Sequence, residues 1–346
     1  MKINKFLSFV AMATLLFTTS CRNDNSVVYT PKGAYENGIF IANEGNITTP
    51  NAEISFIPND LSQVQNNVYS ANNNNAKLGD VLQSIGFSGS NAYLVLNNTN
   101  KVVITNRYTM KKQGEITQEL VNPRYIALAN NYIYITNDTY MGAKYLSIYK
   151  ADDLSYVKKI DFGSEPAERV VEAGGKIFVQ NASFGSGKNI RVINTTDNTV
   201  ASKITVPNGN IQKTISYNGA VYTITSTNTD SYIYQISSTG NITQTITLTG
   251  ISNATNLDID TNKFYFTSGN KVYAMDKNAT VVPDPLFTVV SNSFSTLYGF
   301  NVIDGVFFTS DANGFTANSK VSVYSASGNF VKSFTAGMGT NSFYKN

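Results

Sequence analysis

Tyr132-Ile133-Tyr134-Ile135-Thr136-Asn137 is one copy of a strand that recurs along this chain, an apolar-aromatic run that stops at small polar residues. Ile39-Phe40-Ile41-Ala42-Asn43 and Tyr93-Leu94-Val95-Leu96-Asn97 precede it. Ile177-Phe178-Val179-Gln180-Asn181, Val221-Tyr222-Thr223-Ile224-Thr225, Phe264-Tyr265-Phe266-Thr267-Ser268 and Val306-Phe307-Phe308-Thr309-Ser310 follow it. Anchored on Ala42, Asn97, Thr136, Gln180, Thr225, Thr267 and Thr309, the copies lie 55, 39, 44, 45, 42 and 42 residues apart. A period of about 40–45 residues with several strands per repeat is the signature of a β-propeller. Seven anchors predict an all-β fold of seven blades. Each anchor strand is apolar almost throughout because a blade is packed on both faces by its neighbours. A helical solenoid is the competing architecture, but no segment of ten or more residues sustains a helical apolar period.

The strands around the anchors complete four-stranded blades. Inner strands are expected just before the anchors, at 82–87, 124–128, 168–172, 211–217, 256–259 and 298–303. Third strands are expected at 146–150, 190–194, 232–236 and 320–324, and outer strands at 157–162, 200–206, 242–248 and 331–335. Asp153, Asp197, Ser238-Thr239-Gly240 and Ser327-Gly328 mark the hairpin turns between them. The first blade lacks its own inner strand. The C-terminal stretch Gly337-Met338-Gly339-Thr340-Asn341-Ser342-Phe343-Tyr344 is therefore expected to pair with the strand at 39–43 and close the ring. The 55-residue first spacing holds an Asn-rich insertion at 65–76, which reads either as a partner-docking loop or as a disordered low-complexity segment.

Composition narrows the chemistry. The chain has no histidine and no tryptophan, a single cysteine, 21 tyrosines, 20 phenylalanines and 14% charged residues. Absence of histidine removes the commonest general base, the Ser-His-Asp triad and histidine metal sites. No basic stripe points to nucleic acid. Neither a cofactor nor a metal is expected: Asp311-Ala312-Asn313-Gly314 lacks the spaced ligands of a calcium loop.

The N-terminus reads as an export signal: Lys2 and Lys5, an apolar run over 6–17, then Thr18-Thr19-Ser20-Cys21. Twelve apolar and small residues are too few to span a bilayer. The cysteine directly after small residues resembles a bacterial lipobox, with Thr18 in a relaxed position similar to that of Bacteroidetes lipoproteins. The resemblance implies cleavage before Cys21, lipidation of its thiol and attachment to the outer membrane, on the cell surface in preference to the periplasmic side. The expected organisation is a signal peptide at 1–20, a tether at 21–34 and a propeller at 35–346.

Tyr134-Ile135-Thr136-Asn137 is similar to the repeat motif of YVTN/YncE-like propellers. Gly38-Ile39-Phe40-Ile41-Ala42-Asn43-Glu44-Gly45, Leu78-Gly79-Asp80 with Gln83-Ser84, Asn122-Pro123-Arg124-Tyr125, and Tyr298-Gly299-Phe300 with Thr309-Ser310-Asp311-Ala312 resemble a family of Bacteroidetes surface lipoproteins with seven-bladed propellers. One branch of that family, the BtuG type, captures cobamides and passes them to an outer-membrane transporter. The resemblance implies ligand capture with a TonB-dependent transporter as partner. No ligand-contact motif ties this chain to the cobamide branch.

Topology places the candidate site. In a propeller the inner strand starts, and the second strand ends, on the same face. That face gathers Asn43, Glu44, Gln83, Asn98, Arg124, Tyr125, Asp138, Tyr140, Glu168, Arg169, Phe184, Tyr298 and Asp311. Amides and aromatic rings suit a polar ligand with flat or apolar parts. The bland alternatives are turn chemistry for the Asn and Asp residues and an ion pair between adjacent blades for Arg124 and Glu168. Three functions are weighed: capture of a small polar ligand, with a cobamide first and a glycan or protein next; adhesion through protein contact; and a hydrolase or lactonase-like enzyme using two of Glu44, Glu168, Asp138 and Asp311. The missing histidine and tryptophan weigh against the enzyme, because the propeller lactonases and quinoproteins draw on those residues.

Overall fold

Runs such as Tyr132–Asp138 alternate β-branched and aromatic side chains, which fit a pleated surface packed on both sides. In the computed structural model, which describes residues 30–291 and 293–346, they do so throughout. The expected signal peptide, Cys21 and most of the tether lie outside the described residues. Gly33–Asn346 forms one compact unit. Among the described residues, the strands make seven antiparallel sheets, each built from consecutive strands except the first. The expected all-β, seven-bladed ring is therefore the observed fold.

The core is a set of seven apolar clusters, each filling the gap between neighbouring blades. Tyr93 and Val95 of the second blade meet Ile133, Ile135 and Tyr149 of the third. Tyr222 and Ile224 of the fifth blade meet Phe264 and Phe266 of the sixth. Tyr222 and Phe264 pack edge to face, with centroids 5.6 Å apart. The last cluster joins Phe308 and Val321 of the seventh blade to Ile39, Ile41 and Phe343 of the first.

The first blade closes as its sequence suggests. Gly38–Asn43 pairs on one side with Glu53–Pro58 and on the other with the C-terminal strand Thr340–Lys345. Asn43 locks the junction. Its Oδ1 accepts from the Gly337 N–H at 3.1 Å and from Thr340 Oγ1 at 2.6 Å, and its Nδ2 donates to Ser55 Oγ at 2.9 Å. This sheet has three strands rather than four. A single bridge between Phe56 and Gln65 stands in the outer position.

The Asn-rich insertion departs from the low-complexity expectation, since it is folded. Val68–Asn72 forms a short helix with Val68 and Tyr69 buried. The Glu53 carboxylate accepts from the N–H groups of Tyr69 and Ser70 at 2.9 and 3.1 Å, satisfying donors that a helix start leaves free. Asn73 ties the segment to the second blade: its Nδ2 donates to the Met110 carbonyl at 2.9 Å, and its Oδ1 accepts from the Lys112 N–H at 2.8 Å. The asparagines serve as side-chain amides that satisfy backbone, which composition cannot distinguish from disorder.

Candidate functional site

Inner strands bulge where they begin. Register shifts fall at Leu82/Ser84, Pro123/Ile126, Ile211/Lys213, Thr255/Asp258 and Thr296/Phe300, and opposite Ala42/Asn43 in the first blade. In the fourth blade Glu168 and Arg169 both bond Gln180, a similar two-against-one arrangement. An extra residue bends the strand and re-aims its side chains. Gln83, Tyr125, Arg169, Lys213, Asn256, Tyr298 and Asn341, one from each blade, line a central channel cavity of about 280 Å³.

A larger cavity of about 690 Å³ opens on the face itself. Its polar lining includes Glu44, Gln83, Asn98 and Arg124, and its apolar lining includes Ile47, Val81, Phe184 and Phe315, with Tyr298 between the two groups. Glu44, Gln83 and Tyr298 border both cavities. Arg124 holds Glu168 with two bonds, Nε to Oε2 at 2.9 Å and Nη2 to Oε1 at 2.8 Å, and donates to Gln83 Oε1 at 2.7 Å. Glu44 accepts from Tyr298 Oη at 2.9 Å and Asn341 Nδ2 at 2.8 Å. Burial nevertheless pushes the Glu44 carboxyl up, against those two bonds and the Arg124 charge. Burial and the Glu44 carboxylate beside it push the Tyr298 phenol up.

Phe184 is 82% exposed. It and Gly185 form the two-residue turn between Ser183 and Ser186, both with left-handed φ (+48° and +71°). A type I′ turn demands this, and Asn-Gly supplies it without strain. A phenylalanine in that conformation is an outlier. Val81 (φ +58°) and Phe315 (φ +61°) repeat the pattern, and both line the same cavity. Other bulky left-handed residues, such as Leu61 and Leu154, sit in turns elsewhere. Phe315 stands edge-on to the Tyr298 ring at 4.8 Å.

The structure sorts the expected site residues. Glu44, Gln83, Asn98, Arg124, Phe184 and Tyr298 line the face cavity, while Tyr125 and Arg169 line the channel. Asn43 is buried in the ring closure and borders neither cavity. Asp138 is held by Lys144 at 2.5 Å and by the Ala167 N–H at 2.9 Å, and it also borders neither cavity. Glu168 is paired with Arg124 across the blade boundary, the ion pair read as the alternative, while Arg124 also lines the face cavity. Tyr140 sits at an exposed loop tip outside both cavities. Asp311 is held by Ser291, Ser293 and Ser295 hydroxyls at 2.8–2.9 Å and by the Asn313 N–H at 2.9 Å. Burial alone would raise its pKa, but these bonds outweigh it and hold the carboxyl below its usual range. Of the four carboxylates considered for acid–base work, only Glu44 lines either cavity. Among the described residues no group of three or more His, Cys, Asp or Glu could hold a metal, and no helix is long and apolar enough to cross a membrane.

Lys213, Asn256, Asp258, Asn301, Asn341 and Phe315 went unread in the sequence. Lys213 and Asp258 carried a usable signal, since an ionisable residue inside an inner strand needs a polar place to face.

A family model described as a domain of unknown function (DUF5074) matches residues 37–344. No curated protein matches the sequence. Among solved structures, a quinonprotein alcohol dehydrogenase-like protein from Bacteroides thetaiotaomicron VPI-5482 is similar, with TM-score 0.69 and 13% identity over 90% of this chain and 78% of that one. A functionally unknown protein from Desulfotomaculum acetoxidans DSM 771 has TM-score 0.66 and 10% identity over 89% and 98% of the two chains. The dihydro-heme d1 dehydrogenase NirN has TM-score 0.57 and 13% identity over 91% and 76%. At these identities the likeness concerns the fold alone.

Proposed function

The chain belongs to the DUF5074 family, a domain of unknown function, and we propose that its propeller is a binding module that seats a polar organic ligand with a flat or apolar part in the face cavity. The observation that carries this reading is Phe184, a solvent-exposed ring held in a strained turn at a cavity of about 690 Å³. Strain of this kind gathers where geometry serves a task, and the volume lies within the usual range for small-molecule sites. The cavity pairs aromatic surface with fixed polar groups, and only one of the four acid–base carboxylates considered above reaches it. That favours holding a ligand over transforming it.

Within this reading a cobamide is the first ligand to test. The lipobox-like Cys21 supports an outer-membrane lipoprotein exposed at the cell surface, which hands its ligand to a TonB-dependent transporter. Calorimetric titration with cyanocobalamin, on the wild type and on Phe184→Asn, checks it. We expect saturable binding that weakens at least tenfold in the variant, with the melting temperature of the variant equal or higher because Asn suits the turn. No heat at high micromolar ligand eliminates cobamides. A thermal-shift panel of polar aromatic ligands and glycans that stabilises neither protein eliminates the binding module.

A second reading rests on Tyr140, Met141 and Phe294, exposed on loops of the same face but outside the cavity. Loops held by a rigid scaffold carry binding residues disproportionately, so apolar tips on them are available to a protein partner. Affinity capture from outer membranes distinguishes the two readings, since a transporter that co-purifies with wild type and is lost in Tyr140→Ala/Met141→Ala assigns these tips to docking.

A further inference from the structure

Lys213 projects from the inner strand of the fifth blade, Asn210–Tyr217, into the channel cavity and is only 8% exposed. Buried ammonium groups are normally paired. Among the described residues, its Nζ makes no hydrogen bond or ion pair, and Asp258 acts on it only at longer range. Arg169, on the same cavity wall, stacks its guanidinium over the Tyr125 ring at 4.3 Å, and among the described residues that guanidinium makes no hydrogen bond or ion pair. Its N–H edges remain to be used.

The acids of the channel are already committed. Asp258 accepts from the Ile259 N–H at 2.9 Å, and from Asn301 Nδ2 and the Val302 N–H at 3.0 Å each. Glu44 is bonded by Tyr298 and Asn341. Two cations thus share a small cavity with hydrogen-bonded acids and no direct counter-charge. Burial, then the Arg169 charge, push the Lys213 ammonium down to about 8, with Asp258 pulling the other way. A group so placed gains most from an anion entering the cavity.

We propose that the channel is an oxyanion site, in which a carboxylate or phosphate group is held between the Lys213 ammonium and the Arg169 guanidinium. The inference goes beyond the face cavity and stands without it. The guanidinium fork matches two oxygens of either group, and Lys213 supplies a point charge with three donors. The cavity of about 280 Å³ admits a small anion, or one anionic arm of a larger molecule.

The test titrates succinate and inorganic phosphate separately into the full chain by calorimetry, with Lys213→Met and Arg169→Gln in parallel. We expect saturable binding of at least one anion by wild type, and a loss of tenfold or more in each variant. Lys213→Met should melt no lower than wild type, so its loss of binding is not unfolding. Succinate keeps its charge across pH 6.5–9.5, so its affinity should fall as pH rises through about 8 and Lys213 gives up its proton. The other ionisable groups facing the channel are Glu44, Tyr125, Arg169, Asp258, Tyr298 and Tyr344. A flat pH profile in Lys213→Met separates the lysine from all of them. Binding of succinate alone assigns a carboxylate ligand, and binding of phosphate alone a phosphoryl group. If neither anion binds wild type, or Lys213→Met binds as tightly, the proposal is overturned.

Discussion

Asp311 shows how a single side chain can hold a loop. Its carboxylate collects hydroxyl and amide donors from Ser291, Ser293, Ser295 and Asn313, which fixes the chain leading into the seventh blade. Its pKa is lowered by folding. The stability it adds is therefore fully present above the unfolded value near 3.9 and is lost as pH falls through the folded value. Asp311→Ala should lower unfolding free energy by about 1–3 kcal/mol at neutral pH, because the donors around it lose their acceptor. Urea titrations at pH 7 and pH 3.5 check this, with the difference between the proteins narrowing at the lower pH. An equal difference at both pH values would contradict the role of the charge. In the sequence Asp311 reads as a residue of the face that gathers the candidate site. That it is consumed by three serines 16–20 residues upstream depends on the path of a loop, which no local pattern encodes.

At the scale of elements, the legible features were those that burial writes into a repeating pattern. Anchor strands, third strands and outer strands fall within a few residues of their expected bounds, because each needs an apolar face at fixed spacing. The inner-strand bulges were not legible, since one extra residue leaves no hydrophobic mark. The bulges decide which side chains meet in the channel, so Lys213 and Asp258, which line it, were not named from the sequence. The insertion at 65–76 was misread for a related reason: its asparagines serve backbone groups that become visible only once folded. Tyr69 is buried within it, so Tyr69→Ala should destabilise the protein by about 3 kcal/mol. Limited proteolysis of wild type should leave 65–76 uncut. Rapid nicking there, or a neutral Tyr69→Ala, would restore the disordered reading.

For the whole molecule, the question is what joins blades that are each a separate sheet. Apolar clusters do most of this, and Arg124 adds a polar clasp by reaching from the third blade to Gln83 of the second and Glu168 of the fourth. Its side chain and that of Glu168 are 20% and 13% exposed. Arg124→Met should cost about 3 kcal/mol, because it strands a largely buried carboxylate. The double variant Arg124→Met/Glu168→Met should recover most of that loss. A double-mutant cycle by denaturant unfolding measures the coupling, and additive single effects would show that the pair contributes nothing jointly. Closure by the last strand has a consequence in time. Gly38–Asn43 emerges from the ribosome well before its partner Thr340–Lys345. At 5–20 residues per second the roughly 300 intervening residues take on the order of 15–60 s to synthesise. Throughout that interval the edge of the first strand that Thr340–Lys345 will cover must stay free of wrong neighbours, so the interface between the seventh and first blades, and with it the channel, can form only after that segment is made.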